Sequence, residues 1–175
     1  MIISVDELKE LIDVNGYSDA KLERVLEALE MTIRKYTNNH FHDKRVRFVM
    51  NVVDGNLVGD FHHISVGDTI EISASEYNEG RVVSVTEIDG DTLVLSKPLE
   101  EDDAVEITKV RYPSDVVQGV VNLMDWECSN REKVGIQSET ISRHSVTYFN
   151  MDGNQKSGYP ASLMDFLKPY CKARF

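Results

Sequence analysis

The apolar periodicity of this chain changes twice along its length, and that change limits what it can fold into. Through residues 4–36 apolar residues recur every three or four positions. Val5, Leu8, Leu11 and Ile12 make one stripe; Leu22, Val25, Leu26, Leu29 and Ile33 make a second. From Arg45 the period becomes two. Val46, Phe48, Met50 and Val52 alternate with Arg47, Val49, Asn51 and Val53, as on the two faces of a strand. Helical spacing returns after Pro113, where Val116, Val117, Val120, Leu123, Met124 and Glu127 lie on or near one face, with Trp126 beside them. Two short amphipathic helices cannot bury their stripes alone, so the third helix is expected to be their partner. The strand-rich stretch then reads as an insertion, with Arg45 and Tyr112 near its two ends.

Local signals place the element ends. Ser4 and Glu7 have the spacing of a capping box, in which each side chain satisfies the other residue's free backbone N–H. Asn15-Gly16 should stop the first helix, because both tolerate the left-handed conformation that ends helices. Ser18 caps the second helix, which runs to about Tyr36 with Lys21, Arg24, Glu27, Glu30 and Arg34 on its polar face. Asp54-Gly55 is a hairpin turn signal. Further strands are expected at residues 69–74, 81–88, 92–95 and 104–110, punctuated by Gly67-Asp68, Asn78-Glu79-Gly80, Asp89-Gly90-Asp91 and Lys97-Pro98. Ser114 caps a third helix from Asp115 to about Cys128. Short strands at this spacing imply a small barrel or sandwich. The stretch from Val66-Gly67-Asp68-Thr69-Ile70-Glu71-Ile72 to Gly80-Arg81-Val82-Val83-Ser84-Val85 resembles an SH3-like barrel.

After a turn at Gly135, residues 145–149 are strand-like and residues 152–158 form a polar, glycine-bearing loop. Pro160 suits the first turn of a short helix whose apolar face is Leu163, Phe166 and Leu167, and Lys168-Pro169 ends it. The expected class is α+β: a small helical bundle with an inserted antiparallel barrel and an extended C-terminal segment ending in a short helix. Residues 1–45 and 112–137 would form the helical body, 46–111 the β module, and 138–175 a docking segment.

At 175 residues the chain can bury one proper core, or a core with a small inserted module. No apolar run is long enough to cross a bilayer. The start, Met-Ile-Ile-Ser-Val-Asp-Glu, has no basic region leading into an apolar segment, so no cleaved export signal is expected. The formal net charge of −11 is unevenly spread. Residues 60–109 hold thirteen acids against three bases, which is nearly all of it. The end of the chain is basic instead, with Lys156, Lys168, Lys172 and Arg174 against Asp165. A tight nonspecific grip on DNA needs a basic patch that releases counterions, and with a net charge of −11 none is expected.

Chemistry-bearing patterns are sparse. His40 and His42 flank Phe41, and His62-His63 are adjacent, but neither pair has the i, i+4 spacing of two ligands on a helix face, and no metal is expected. Asp89-Gly90-Asp91 and Asp152-Gly153-Asn154 lack the twelve-residue pattern of a calcium loop and read as turns. No phosphate-binding Gly-rich loop or Gly-x-Ser-x-Gly elbow occurs. Cys128 and Cys171 read as reduced thiols, one in a helix and one without an adjacent base. No enzyme activity and no cofactor are expected. Glu100, Glu101, Asp102 and Asp103 read first as a solvated loop. The dense set Tyr159, Pro160, Leu163, Phe166, Leu167, Tyr170, Lys172, Arg174 and Phe175 has two readings: a helix docked on its own domain, or anchors for a partner, where aromatic and Arg side chains are enriched.

Gly135-Ile136-Gln137-Ser138-Glu139-Thr140-Ile141, then Ser145-Val146-Thr147-Tyr148, Gly158-Tyr159-Pro160-Ala161-Ser162-Leu163 and Leu167-Lys168-Pro169-Tyr170, follow the helices in one order. In that order they resemble the head–tail connector (adaptor) proteins of long-tailed bacteriophages and related prophages, over roughly residues 1–40 and 112–175. The acidic β insertion departs from the simplest, all-helical members. The resemblance implies a virion protein at the head–tail junction, assembled in the host cytoplasm, that forms a ring of about twelve copies under the portal through a head-to-tail interface. It implies the portal and the next neck protein as partners, double-stranded DNA passing through without specific binding, and no membrane. Residues 159–175 would engage the portal. A separate charge argument makes Glu100, Glu101, Asp102 and Asp103 candidates for a channel-facing loop, because like charge lets DNA pass without sticking, while the sequence leaves open whether the insertion faces the channel or the outside. A head-completion (stopper) protein and a non-catalytic protein-binding module are the competing readings.

Overall fold

The structure, a computed structural model, describes residues 1–131, 138–141, 144–147 and 155–173. It is mixed α+β and divides into two compact units. Met1 and His40–Tyr112 form the first; Ile2–Asn39 and Pro113–Phe175 form the second.

The first unit is a closed, six-stranded antiparallel barrel of β1 (His42–Val53), β2 (Asn56–Val58), β3 (Thr69–Ala74), β4 (Val82–Asp89), β5 (Thr92–Leu95) and β6 (Asp102–Val110), in the order β1-β2-β5-β4-β3-β6. Alternation decides its interior. Val46, Met50 and Val52 of β1 are buried with Ile70, Ile72, Leu93, Val105 and Ile107, and Phe48 packs partly against them. Val49 and Val53, on the other face of β1, are exposed. β1 starts at His42, earlier than the alternating pattern suggests, because a register shift between His42 and Arg47 interrupts the period where the strand enters the barrel. The β1–β2 hairpin turns at Asp54-Gly55, both with positive φ, pairing Val53 with Asn56. Gly55 is required twice over: its φ is +78°, and a Cβ there would lie 2.8 Å from Pro98 Cβ. The barrel's two chain ends run side by side, with Arg111 N–H donating to Phe41 O at 2.8 Å and the Phe41 and Tyr112 rings 4.9 Å apart.

The second unit contains α1 (Val5–Leu11), α2 (Asp19–Thr37), α3 (Ser114–Asn130) and a 3₁₀ segment (Ala161–Tyr170). The Ser4–Glu7 capping box is present. α1 nevertheless ends at Leu11, before Asn15-Gly16, and Leu11 is 61% exposed, so only Leu8 of its stripe is fully buried. The chain turns extended at Ile12, with φ −138° and ψ 158°, so the last residue of the stripe is outside the helix. Ser18 is the N-cap residue of α2 without a side-chain cap bond, and Pro113, not Ser114, is the N-cap residue of α3. Leu22, Leu26, Leu29 and Ile33 are buried as their spacing predicts, but so are Glu30 and Arg34 from the expected polar face. The element opened by Pro160 is 3₁₀ rather than α-helical, and it continues through Pro169 instead of stopping before it. Pro169 has no N–H to donate in either helical geometry, and the last turn is closed instead by Cys171 N–H donating to Lys168 O at 3.3 Å.

Two short antiparallel pairs accompany these helices: β7 (Ser138–Ile141) with β8 (His144–Thr147), and β9 (Gln155–Lys156) with β10 (Tyr159–Pro160). The Gly135-Ile136-Gln137 and Tyr148 parts of the sequence motif, Phe149, and residues 152–154 of the expected loop lie outside the described residues. No helix among the described residues is long and apolar enough to cross a membrane.

Candidate docking site in the C-terminal segment

α3 offers the C-terminal segment a row of residues about four apart, hence on one face: Asp115, Gly119, Leu123, Glu127 and Arg131. The segment runs along this face in the opposite direction. Near the C-terminal end of α3, Tyr159 packs edge-on against Trp126 with ring centroids 5.5 Å apart. Arg131 lies over both rings, 5.2 Å from Trp126 and 5.0 Å from Tyr159. The same guanidinium grips buried Glu127, with Nε donating to Oε1 at 2.8 Å and Nη2 bonded to Oε2, and it donates from Nη1 to Gly158 O at 3.2 Å. One arginine therefore neutralises a buried carboxylate and ties the following strand to the helix. Burial, then Glu127, pushes the Tyr159 hydroxyl above its ordinary range.

Midway along α3, Gly119 lets the Phe166 ring approach the helix backbone. A Cβ at position 119 would lie 2.4 Å from Phe166 Cζ. At the N-terminal end of α3, Tyr170 O–H donates to both Asp115 oxygens, at 2.7 and 2.8 Å, and that bond to the carboxylate raises the Tyr170 pKa. The last described residues close on the end of α2. Lys172 N–H donates to Thr37 O at 2.7 Å, satisfying a carbonyl that the helix terminus leaves free. Asn38 and Asn39 donate to the carbonyls of Ala173 and Tyr170.

This places the partner-binding candidates individually. Tyr159, Pro160 and Leu167 are buried within their own unit, Leu163, Phe166 and Tyr170 are half-buried, and Lys172 is exposed. Arg174 and Phe175 lie outside the described residues. The segment is thus bound along α3 and α2, and the side chains that its described residues 159–173 leave to solvent are Ser162, Asp165, Lys168, Pro169, Cys171, Lys172 and Ala173. The Glu127–Arg131 clip was missed from sequence. Its signal was a carboxylate on an otherwise apolar helix face with an arginine four residues on.

In the barrel unit the four acids differ from one another. Glu100, Glu101 and Asp103 are exposed, but Asp102 is half-buried and accepts bonds from Ser75 O–H and from the backbone N–H groups of Glu76 and Tyr77. The Ser75 bond leads the causes that hold its pKa below the ordinary aspartate value. Glu101 accepts from Gly55 N–H at 3.3 Å. Asn78, fully buried, bonds both the N–H and the C=O of Glu100 at 2.8 Å. The acidic run is therefore the pinned entry into β6, and one of its members is structural.

Spacing along the chain also missed a cluster on the barrel, where His40 and His42 converge on Glu71. The third residue lies 29 positions beyond His42 and is brought in only by strand pairing. Cys128 is buried and Cys171 exposed, both as free thiols. Compared with known families and with curated proteins, the chain matches no family model and no curated relative.

Proposed function

We propose that this chain is a non-catalytic structural component of a phage head–tail junction: a connector that assembles as a ring of about twelve copies beneath the portal, closed by a head-to-tail interface. In this reading the helical unit is a small connector-like bundle, the barrel is an SH3-like insertion, and the segment after Tyr159 faces the portal. The observation that carries the reading is the physical role of the Gly158-Tyr159-Pro160 motif on which the resemblance rests. Gly158 gives its carbonyl to Arg131, Tyr159 fills the site between Arg131 and Trp126, and Pro160 opens the 3₁₀ segment. Each position of the motif thus has a structural role, which supports the reading. Beyond it the backbone is bonded to the end of α2, and the exposed side chains of Lys168, Pro169 and Lys172 are what it offers to a partner. The acidic barrel supports DNA passage without adhesion, since like charge prevents grip.

Co-sedimentation with DNA-filled, tailless heads of the parent phage tests this. A truncation before Tyr159 would remove Tyr159, Met164 and Leu167 from the core, so the informative variant ends at Cys171. The full chain should sediment in fixed proportion to the portal, and the shortened chain should not. No sedimentation of the full chain overturns the reading. Binding only to heads that already carry a connector identifies a stopper instead. Equal binding by both forms keeps the connector and moves its docking surface away from the last residues.

A further inference from the structure

β3 places Ile70 and Ile72 in the barrel core, so Glu71 between them points outward, where a carboxylate is ordinarily solvated. Its side chain is only 5% exposed. Over it lie two imidazoles, His40 Nδ1 at 2.8 Å from Oε1 and His42 Nε2 at 2.7 Å from Oε2. Each carboxylate oxygen thus has its own ring. The rings are 5.3 Å apart at their centroids and tilted by 57°, so their nitrogens converge rather than stack. The His42 side chain is 21% exposed and that of His40 58%, which leaves the cluster open to solvent on one side.

The backbone enforces this convergence. Phe41, between the two histidines, has φ of +55°, a left-handed conformation that a bulky side chain adopts only when its surroundings demand it. Its ring is held against Tyr112 and its carbonyl by Arg111 N–H. Pairing of both β1 and β3 with β6 then sets the register: His42 and Thr69 both face Val110, and Glu71 faces Thr108.

We propose that His40, His42 and Glu71 form a binding site for a divalent first-row transition cation, with Zn²⁺ the best fit. Two imidazole nitrogens and one carboxylate are the borderline donors such ions prefer, whereas Ca²⁺ and Mg²⁺ take oxygen ligands. The three donor atoms lie within 4.8 Å of one another. A tetrahedral Zn²⁺ with bonds of about 2.0–2.2 Å needs its donors about 3.3 Å apart, so small side-chain rotations suffice. The cation would replace shared protons between the rings and the carboxylate, neutralise a buried charge, and tie the entry of β1 to β3. Three protein ligands leave a fourth position open on the side of exposed His40, for water or an incoming donor. This inference stands apart from the connector reading.

The test uses untagged full-length protein, stripped with chelator and titrated with Zn²⁺ by calorimetry and with Co²⁺ by visible absorption. The wild type should bind one equivalent, show the absorption of tetrahedral Co²⁺, and unfold at higher temperature with Zn²⁺ than without. His40→Ala, His42→Ala and Glu71→Gln should each weaken binding by at least about tenfold. The double variant His62→Ala/His63→Ala should bind as the wild type does. His40 is exposed and outside the core, so His40→Ala decides the matter even if Glu71→Gln does not fold. Absence of stoichiometric binding overturns the proposal. So does unchanged binding in the His40→Ala/His42→Ala variant, or loss of binding only in the His62/His63 variant.

Discussion

Arg131 shows how much one side chain can hold. Its guanidinium neutralises buried Glu127, reaches the Gly158 carbonyl and covers the Trp126 and Tyr159 rings. Removing one partner of a buried pair costs about 3–5 kcal/mol because the other charge is stranded, and partial exposure of Arg131 reduces that. Arg131→Ala is therefore expected to destabilise the protein by about 2–4 kcal/mol in urea unfolding, at the lower end of that range if water reaches Glu127. Arg131→Lys should fall between, since an ammonium keeps the charge but loses the fork. A loss below about 0.5 kcal/mol for Arg131→Ala would show that the clip is not a stabilising contact. Asp102 makes the complementary point. Within a run of four acids it is the one whose oxygen organises the Ser75–Tyr77 turn, so charge alone does not describe its role.

At the scale of elements, the contact of α3 with the 3₁₀ segment depends on Gly119, where the absence of a side chain admits the Phe166 ring. Two effects oppose each other in Gly119→Ala. Alanine favours the helix by about 1 kcal/mol. A methyl forced within 2.4 Å of Phe166 Cζ must expel the ring or bend the helix, and overpacking costs about 1–3 kcal/mol. The steric term should win, with a net loss of about 1 kcal/mol and faster amide exchange across residues 161–170 than in the wild type. Exchange unchanged in that segment would show that Phe166 relocates without loosening it. The 3₁₀ geometry matters here as well, since it carries the chain past Pro169 to place Tyr170 on Asp115 and Lys172 on the end of α2.

At the scale of the molecule, charge is segregated by unit. Most of the net charge of −11 lies within residues 60–109, which belong to the barrel unit, while the chain end is basic. Under the connector reading, an acidic surface facing the channel speeds DNA release. Replacing Glu100 and Glu101 by Gln and Asp103 by Asn, with Asp102 kept for its turn bonds, should slow DNA ejection from assembled particles. Ejection at the wild-type rate would place that surface away from the DNA. The amide replacements preserve an acceptor for Gly55 N–H, so a change in rate reports charge rather than a broken turn.

Sequence alone determined much of what depends on neighbours along the chain, though not the end of α1, the cap of α3 or the 3₁₀ form of the C-terminal element. The 3.6-residue and two-residue periods located the helices and most barrel strands, the Ser4–Glu7 spacing located a cap, and Asp54-Gly55 located a hairpin. These are local because hydrogen bonding, φ preference and amphipathic burial act over a few residues. Tertiary structure decided everything that joins distant positions. It closed the six strands into a barrel, buried Glu30 and Arg34 on a face that reads as polar, and laid the aromatic C-terminal segment along α3 and α2. It also brought Glu71 to His40 and His42. Such pairings are set by strand register and by which surfaces must leave water together, and neither is encoded in the spacing of the residues that finally meet.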